Sequence, residues 1–196
     1  MARTKVFDEE VVLDRAMDLF WLKGYAATSA QDLVDHLQIS RSSLYATYGD
    51  KHTLFVRALE RYRTEHVDPV LAKAESVTDP EQYLRDLFQS VRTDALSEKE
   101  ARGCFMVNSA VELASVDADV AAIGNAIMRA TEEAIRIVVQ RGQDSGLFTR
   151  RQSAQSFARY LFNALNGLRV TVKFDASDTM FDDIINVCLD TLKHCR

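Results

Sequence analysis

Glycine and proline, the residues that most often interrupt helices, are scarce in this chain of 196 residues, which has seven Gly and two Pro. No stretch alternates apolar and polar residues for long enough to predict a β-strand. Apolar residues instead recur at intervals of three and four, which is the spacing of an amphipathic helix. The sequence therefore predicts an all-α fold.

Long apolar runs are also missing, because none approaches the roughly 20 residues that a membrane-spanning helix needs. The opening MARTKVFDEE lacks the apolar segment of a secretory signal peptide. The three cysteines, Cys104, Cys188 and Cys195, do not have the spacing of a metal site. We therefore expect a cytoplasmic protein with reduced thiols, no metal and no cofactor.

The net charge of −5 argues against a protein that holds nucleic acid through bulk positive charge. The charge is unevenly placed, since residues 1–63 contain nine basic and nine acidic side chains and the remainder carries the whole excess. Basic residues follow Ser40, whereas Asp8, Glu9 and Glu10 cluster near the start. A segment polarised in this way can still present a phosphate-facing surface.

Capping signals and apolar spacing together predict nine helices, three in a small head and six in a larger body. The head helices are expected between Asp8 and Gly24, between Thr28 or Ser29 and Leu37, and between Arg41 and Tyr48. Residues 1–50 form the head, which continues into the first turns of the fourth helix, and residues 51–196 form the body. The division predicts a small N-terminal domain on a larger C-terminal domain.

The body helices are predicted from the same signals. The fourth helix runs from Asp50 towards Ala74 with a bend at Pro69, because a proline inside a helix removes one hydrogen bond. The remaining helices begin near Pro80, Cys104, Asp117, Ser153 and Ser177. A charged loop is expected at residues 97–103.

The most informative stretch is Thr28–Leu54, where two short helices are separated by a turn of three residues, Gln38-Ile39-Ser40. Leu33, Val34 and Leu37 give the first of these helices an inward-facing stripe. Ser40 is placed to cap the second helix. This arrangement predicts a helix-turn-helix.

The first turn of the second helix carries Arg41, Ser42 and Ser43. Cationic and small polar side chains at this end of a helix can reach base edges in the DNA major groove. Leu44 is expected to face the core. The chemistry indicated by the stretch is therefore recognition of DNA and not catalysis.

At these residues the sequence resembles the TetR family of transcriptional repressors. The matching features are Gly24-Tyr25, Thr28-Ser29, Ile39-Ser40, Ser43-Leu44-Tyr45, Tyr48, Gly49-Asp50-Lys51 and Leu54. The resemblance implies a homodimer whose two heads enter successive major grooves of a pseudo-palindromic operator. It also implies a small-molecule inducer that binds the body and releases the DNA.

The resemblance assigns roles to individual head residues. The base-reading positions are Arg41, Ser42 and Ser43, and the phosphate-contacting positions are Thr28, Tyr45, Tyr48 and Lys51. For Tyr45 and Tyr48, core packing with an exposed hydroxyl remains the alternative. The chain departs from the family pattern at Gln38, where glycine is usual, and at Thr47, where histidine is common. Gln38 is expected to need a positive φ, at a cost of roughly 1 kcal/mol.

Polar and aromatic residues of the body are candidates for an inducer pocket. The candidates are Tyr62, Tyr83, Phe88, Cys104, Phe105, Asn108, Glu112 and Met128. Asn108 and Glu112 stand out because they lie four residues apart on an otherwise apolar helix, and buried polar groups need partners. Ordinary core packing and a hydrogen bond between helices remain the alternatives.

The last two helices each carry an apolar face, and two such helices from each subunit can form a four-helix dimer interface. The interface candidates are Phe157, Leu161, Ala164, Leu168, Phe181, Ile185 and Leu189. Packing within a single chain remains the alternative.

Other functions compete with an inducible repressor. Cys104 follows Gly103 at a predicted helix start, a position that favours a reactive cysteine, so a redox- or electrophile-sensing repressor is one alternative. An all-α enzyme is another, although no phosphate loop, metal spacing or nucleophile motif favours it. A DNA binder without an inducer is a third. His36 and His52 are expected to be solvated.

Overall fold

The computed structural model describes residues 7–97 and 102–194. Within these ranges the chain is helical, with no strand. The helices are α1 (Glu9–Lys23), α2 (Ala30–Leu37), α3 (Arg41–Tyr48), α4 (Lys51–Tyr62), α5 (Asp68–Glu75), α6 (Pro80–Ser97), α7 (Phe105–Leu113), α8 (Ala118–Asp144), α9 (Ala154–Thr171) and α10 (Asp178–Asp190). The predicted all-α fold is confirmed.

A π-helical turn, Arg63–Val67, joins α4 to α5 without a break. The described residues therefore form nine continuous helices, as predicted. Pro69 lies in the first turn of α5 and cannot donate a backbone hydrogen bond. A wider π turn just before a proline is a usual way for a helix to absorb that missing bond, so the irregularity falls beside the predicted bend.

The helix starts in the N-terminal part follow the predicted caps. The Asp8 side chain accepts from the amide of Glu10 at 2.9 Å, and Asp50 Oδ1 accepts from the amide of Thr53 at 2.7 Å. Ser29, and not Thr28, caps α2, and it forms a reciprocal capping box with Asp32. Local side-chain chemistry thus determines where these helices begin.

Backbone conformation at two helix ends also agrees with the sequence. Gly24 ends α1 with φ of 81°. Gln38 ends α2 in the left-handed region, with φ of 58° and ψ of 35°, as expected from its place where glycine is usual. It is the one residue other than glycine with positive φ among those described.

The chain divides into two compact units. Unit 1 contains the chain up to residue 65 together with residues 105–125, and unit 2 contains residues 66–104 and the chain from residue 126 onwards. Unit 1 is thus larger than the predicted head of residues 1–50, because it includes all of α4 and takes in α7 and the first turns of α8 from the middle of the chain.

Unit 1 is built around aromatic rings. The ring of Phe105, at the start of α7, lies 5.8 Å from that of Phe55, 5.7 Å from that of Tyr62 and 6.0 Å from that of Trp21, measured between centroids. Phe20 packs edge-on against Phe55 at 5.0 Å. Offset and edge-on contacts of this kind add to the free energy gained from burial. These rings explain why α7 belongs to the same unit as α1 and α4.

Unit 2 has a mainly aliphatic core contributed by α6, α8, α9 and α10. Among its fully buried side chains are Leu84, Phe88, Ile135, Leu161 and Phe181. No described helix is both long and apolar enough to cross a membrane.

Some sequence-based assignments need correction or fall outside the described residues. Apolar spacing in the sequence predicts that Val11 lies on the buried side of the first helix, but Val11 is 45% exposed, because Leu13 and Met17 complete that face of α1 instead. The predicted loop at 97–103 is covered only in part, since 98–101 lie outside the described residues, as does Cys195.

Candidate nucleic-acid interface

The N-terminus of α3 is held by a compact set of serine hydroxyls. Ser40 Oγ accepts from the amide of Ser43 at 3.1 Å and donates to Ser43 Oγ at 2.9 Å. It also lies 3.0 Å from Ser42 Oγ. Behind this turn, Leu44 and Tyr48 are buried and anchor the opposite side of the helix. The helix therefore presents its first turn outward on a fixed base.

Of the three predicted base-reading residues, Arg41 and Ser42 are exposed and Ser43 is half-buried. The Arg41 guanidinium lies 5.8 Å from the centroid of the Tyr45 ring, one helical turn away. Tyr45 is itself half-buried, so part of its ring remains accessible. The structure thus brings Arg41, Ser42 and Tyr45 together at the exposed end of α3.

Tyr48 contributes to the packed interior and not to the exposed surface of α3. Its ring is buried, and its hydroxyl donates to the carbonyl oxygen of Glu9 at 3.2 Å. The Arg57 guanidinium lies 4.9 Å from the centroid of this ring. Burial raises the pKa of the Tyr48 phenol. These contacts tie α3 to the start of α1 and to α4.

Two other residues that were assigned to phosphate contact also have internal partners. Thr28 is fully buried, and its hydroxyl donates to the Gly24 carbonyl at 2.6 Å. Lys51 Nζ donates to the carbonyl oxygens of Tyr25 and Thr28, both at 2.9 Å, and lies 4.2 Å from the Tyr25 ring centroid. In this structure both side chains brace the loop before α2, and neither reaches outward.

The same loop is also held by Glu112, which is one of the pocket candidates predicted from the sequence. Glu112 Oε2 accepts from the amide of Tyr25 at 3.0 Å, and Oε1 accepts from the amide of Ala26 at 2.6 Å. A side chain at Gly24 would place its Cβ 3.0 Å from Glu112 Oε2. The contact spans 87 residues of sequence, and no local pattern predicts it.

A second long-range contact corrects the expectation that His52 is solvated. His52 Nε2 lies 2.7 Å from Asp117 Oδ2, and its side chain is 35% exposed. Asp117 also caps α8, because its Oδ1 accepts from the amide of Val120 at 3.1 Å. The cap and the His52 contact hold the pKa of this carboxyl below its usual value. Burial raises the pKa of the Tyr25 phenol in the same loop, and the negative charges of Asp50, Asp117 and Glu112 raise it further.

One group of side chains in unit 1 has ligand atoms close enough for a metal ion. His52, Asp117 and Asp119 offer atoms that all lie within 4.8 Å of one another. Both Asp117 oxygens, however, already have hydrogen-bond partners in the protein. Helix capping and the His52 contact account for this arrangement.

Several cations near the interface are neutralised by ion pairs. Arg61 contacts the carboxylates of Glu10, Asp14 and Glu65. Lys23 Nζ lies 2.8 Å from Asp32 Oδ1. Arg41, which lies over a tyrosine ring, thus remains the exposed cation at the start of α3.

The pocket candidates divide between the two units. Tyr62, Phe105, Asn108 and Glu112 belong to unit 1, and Tyr83, Phe88, Cys104 and Met128 belong to unit 2. In unit 2, the Tyr83 hydroxyl donates to the Val70 carbonyl at 2.7 Å, and burial raises its pKa to about 12. Cys104 is 5% exposed and Phe88 is fully buried, while Met128 is 40% exposed. Burial of the Cys104 side chain favours a packing role over sensing.

The dimer candidates on α9 and α10 also need revision. Six of the seven are at most 5% exposed within their own chain, and Ala164 is half-buried. The buried six are Phe157, Leu161, Leu168, Phe181, Ile185 and Leu189. Apolar periodicity found the inward face of each helix correctly, but a partner could contact only the outward face. Apolar residues that are exposed on these helices are Tyr160, Val170 and Val187.

Comparison with known proteins gives two family matches. The family model described as bacterial regulatory proteins of the tetR family matches residues 12–58. The model described as the tetracyclin repressor-like C-terminal domain matches residues 80–188. The first match covers the candidate interface, and the second covers more than half of the chain.

Individual proteins are similar over nearly their whole lengths. An uncharacterised HTH-type transcriptional regulator of Bacillus subtilis, YezE, is 32% identical over 193 residues, which cover 98% of this chain and 100% of the relative. The HTH-type transcriptional repressor ComR of Escherichia coli is 30% identical over 89% of this chain and 84% of its own.

Solved structures share the fold. A cysteine mutant of the TetR family regulator CifR, complexed with 26 bp double-strand operator DNA, matches with a TM-score of 0.83 and 25% identity. That match covers 96% of this chain and 98% of the CifR chain. A TetR family regulator from Agrobacterium tumefaciens matches with a TM-score of 0.84 at 18% identity, over 94% of this chain and 97% of its own.

Proposed function

This chain belongs to the TetR family of bacterial transcriptional regulators, and from that premise we propose that it is a dimeric repressor released from its operator by a small molecule. It is a DNA-binding regulator and not an enzyme. Support for the repressor role comes from ComR, a relative named as a transcriptional repressor.

The observation that carries the proposal is the exposed first turn of α3 on a buried support. Arg41 and Ser42 point away from the core, while Leu44 fixes the opposite side of the helix. Arg41 can donate two hydrogen bonds to a guanine edge, and the serine hydroxyls can donate or accept. Arg41, Ser42 and Ser43 are therefore the proposed base readers.

Phosphate contacts are proposed from the accessible side chains around this turn. Tyr45 is the best placed of the predicted four, because its ring is partly exposed next to Arg41. Thr28, Tyr48 and Lys51 support such contacts indirectly, by holding the backbone of α2 and α3 in place. The N-termini of helices add backbone amides that attract phosphate.

Dimerisation is proposed through the outward faces of α9 and α10. Tyr160 and Val170 on α9 and Val187 on α10 are between 43% and 59% exposed, an apolar surface that a second copy can cover. Among the residues that the structure describes, none places a side chain within 4 Å of the Gly167 Cβ position, so the helix surface is open to them there. Two heads would then read half-sites about 34–36 Å apart.

Regulation is proposed through an inducer that binds the C-terminal part of the chain and lowers operator affinity. Any such ligand must bind the DNA-free state better, since a ligand with equal affinity for both states shifts nothing. A regulator that acts on bacterial DNA would work in the cytoplasm, which is the location we propose. Selection of bound sequences from random duplexes, followed by a screen for small molecules that release the selected duplex, tests both parts.

The base-reading assignment is tested by comparing Arg41→Ala with Arg150→Ala, which removes an exposed arginine of unit 2. Arg41→Ala should weaken binding to the selected operator by about 1–3 kcal/mol and relax the base preference at one position in each half-site. Arg150→Ala should bind as the wild type does. Equal sequence preference in wild type and Arg41→Ala would show that α3 does not read DNA through Arg41.

A further inference from the structure

We propose that Glu112 is a positioning residue for DNA reading, because its carboxylate fixes the loop Gly24–Thr28 from which the helix-turn-helix starts. Through this contact α7 sets the position of α2. The inference rests on the proposed DNA-binding function and specifies how that site is held in shape.

The loop is bound by two groups of opposite charge, one at its amides and one at its carbonyls. Glu112 accepts the amides of Tyr25 and Ala26, and Lys51 donates to the carbonyls of Tyr25 and Thr28. Hydrogen bonds with a charged partner are stronger than neutral ones and fix direction as well as distance. Neither Glu112 nor Lys51 is a sequence neighbour of the loop, so the loop conformation depends on tertiary contacts.

Close approach of α7 to the loop needs glycine at position 24. Gly24 has φ of 81°, a region that favours glycine, and a Cβ there would lie 3.0 Å from Glu112 Oε2. The buried Thr28 hydroxyl closes the loop by donating to the Gly24 carbonyl. The loop is thus shaped to receive a carboxylate.

The loop leads directly into the reading element. Ser29, the next residue, caps α2 and pairs with Asp32. Leu33 and Leu37 on α2 are buried, and α2 packs against α3, which carries Arg41. Because a packed helix moves as a body, a shift of the loop displaces the start of α2 and changes the orientation of α3.

A second contact holds the same region from α8. His52, adjacent to Lys51, lies 2.7 Å from Asp117, which caps α8. The segment 105–125 therefore meets the helix-turn-helix region at two carboxylates, Glu112 on the loop and Asp117 on the start of α4. Glu112 contacts backbone, so its effect on the loop is the more direct.

The positioning role predicts a change opposite in sign to that of simple electrostatics. Removal of a negative charge near a DNA-binding surface ordinarily raises affinity for every duplex. Loss of the Glu112 contact should instead lower affinity for the operator, because the base readers are no longer held in register. Unrelated DNA, bound without register, should be held as tightly as before or slightly more tightly.

The experiment compares Glu112→Gln, which loses the charge, and Glu112→Asp, which keeps the charge but is one methylene shorter. The matched control is Glu133→Gln, which removes a partly exposed carboxylate of unit 2 that is paired with Arg136. Binding is measured to the selected operator and to an unrelated duplex of the same length. Both Glu112 variants should lose on the order of tenfold in operator affinity, whereas Glu133→Gln should not.

Amide hydrogen exchange in the full-length protein gives a readout that is independent of DNA. The Tyr25 and Ala26 amides should exchange faster in both Glu112 variants than in wild type, at unchanged helical content. Wild-type operator affinity in both variants, or unchanged exchange of the two amides, would overturn the inference. If the wild type does not distinguish operator from unrelated DNA, the proposed function fails instead, and the exchange rates still decide whether Glu112 holds the loop.

Discussion

Each of the two units of this protein is stabilised internally by a different kind of contact. In unit 1, an aromatic cluster is combined with hydrogen bonds between charged side chains and the backbone. In the loop before α2, Glu112 accepts from an amide and Lys51 donates to a carbonyl. In unit 2, the core is largely aliphatic and depends on packed volume. Side chains also bind backbone in unit 2, where Gln143 Nε2 donates to the carbonyls of Thr149 and Gln152 and Arg141 donates to that of Val77.

The difference follows from what each unit has to keep constant. Hydrogen bonds fix direction, and base reading requires side chains to be held within a fraction of an ångström. Aliphatic packing fixes volume and tolerates many substitutions that conserve it. A reading unit therefore needs directed contacts, whereas a regulatory unit can change its lining while it keeps its fold.

The largest effect on stability is expected for Phe105→Ala, which removes the α7 ring that packs against rings of α1 and α4. Truncation of a buried phenylalanine costs about 3–5 kcal/mol. Trp21, the single tryptophan of the chain, stacks on Phe105 in unit 1, so its fluorescence reports unfolding of that unit. The fluorescence transition should move to lower denaturant concentration, ahead of the far-ultraviolet circular dichroism transition. Coincident transitions would show that the two units unfold together, which would contradict the expectation that unit 1 is lost first.

Phe174→Ala is the matched control for that experiment. The Phe174 side chain in unit 2 is 87% exposed, so its removal should change the stability of the protein by less than about 0.5 kcal/mol.

A smaller loss of stability is expected for Lys51→Met, which keeps the aliphatic part of the side chain and removes the ammonium group. The carbonyls of Tyr25 and Thr28 lose a charged donor, so unit 1 should be destabilised by about 1.5–3 kcal/mol by Trp21 fluorescence. Lys73→Met, at an exposed lysine of unit 2, should have almost no effect. If Lys51→Met instead leaves stability unchanged and lowers the salt dependence of DNA binding by about one unit, the lysine contacts phosphate directly.

A gain in the stability of unit 1 is expected for Gln38→Gly, because this substitution removes the steric strain of the left-handed backbone at the turn. Gln38 has φ of 58°, and glycine adopts that conformation without the steric cost of a Cβ. Loss of the hydrogen bond from Gln38 Nε2 to the Asp35 carbonyl offsets part of the gain. Unit 1 should become more stable by at most about 1 kcal/mol. A lower unfolding midpoint would show that this hydrogen bond outweighs the backbone strain.

The smallest effect on stability is expected from a change of pH, through the carboxyl groups of Asp50 and Asp117. The pKa values of both groups lie below the usual 3.8 in the folded state. A folded pKa below the unfolded one means that the ionised group stabilises the fold above the unfolded pKa. That stability is lost as the pH falls below about 4 and through the folded pKa. The denaturant midpoint followed by Trp21 fluorescence should therefore stay constant between pH 7 and 5 and decrease below pH 4. Asp117→Asn, which cannot ionise, should reduce this acid-induced loss, and an unchanged pH profile in the variant would contradict the role of Asp117.

Much of the local structure could be predicted because its causes are local. Asp8, Ser40 and Asp50 cap helices within three residues of themselves, and Gln38 adopts the conformation expected from its place in the turn. The reading residue Arg41 could be located for the same reason. By contrast, the aromatic contacts of Phe105 and the exposed faces of α9 and α10 depend on how distant helices pack.

The sequence by itself determined the helices, the reading turn and the family, because caps, periodicity and turn residues act over a few positions. Tertiary structure alone decided which polar side chains brace that turn. Glu112 lies 87 residues from Tyr25, and Asp117 lies 65 residues from His52. A carboxylate on an amphipathic helix has the same local signature whether it meets water or a distant backbone amide, so only packing of the helices reveals its partner.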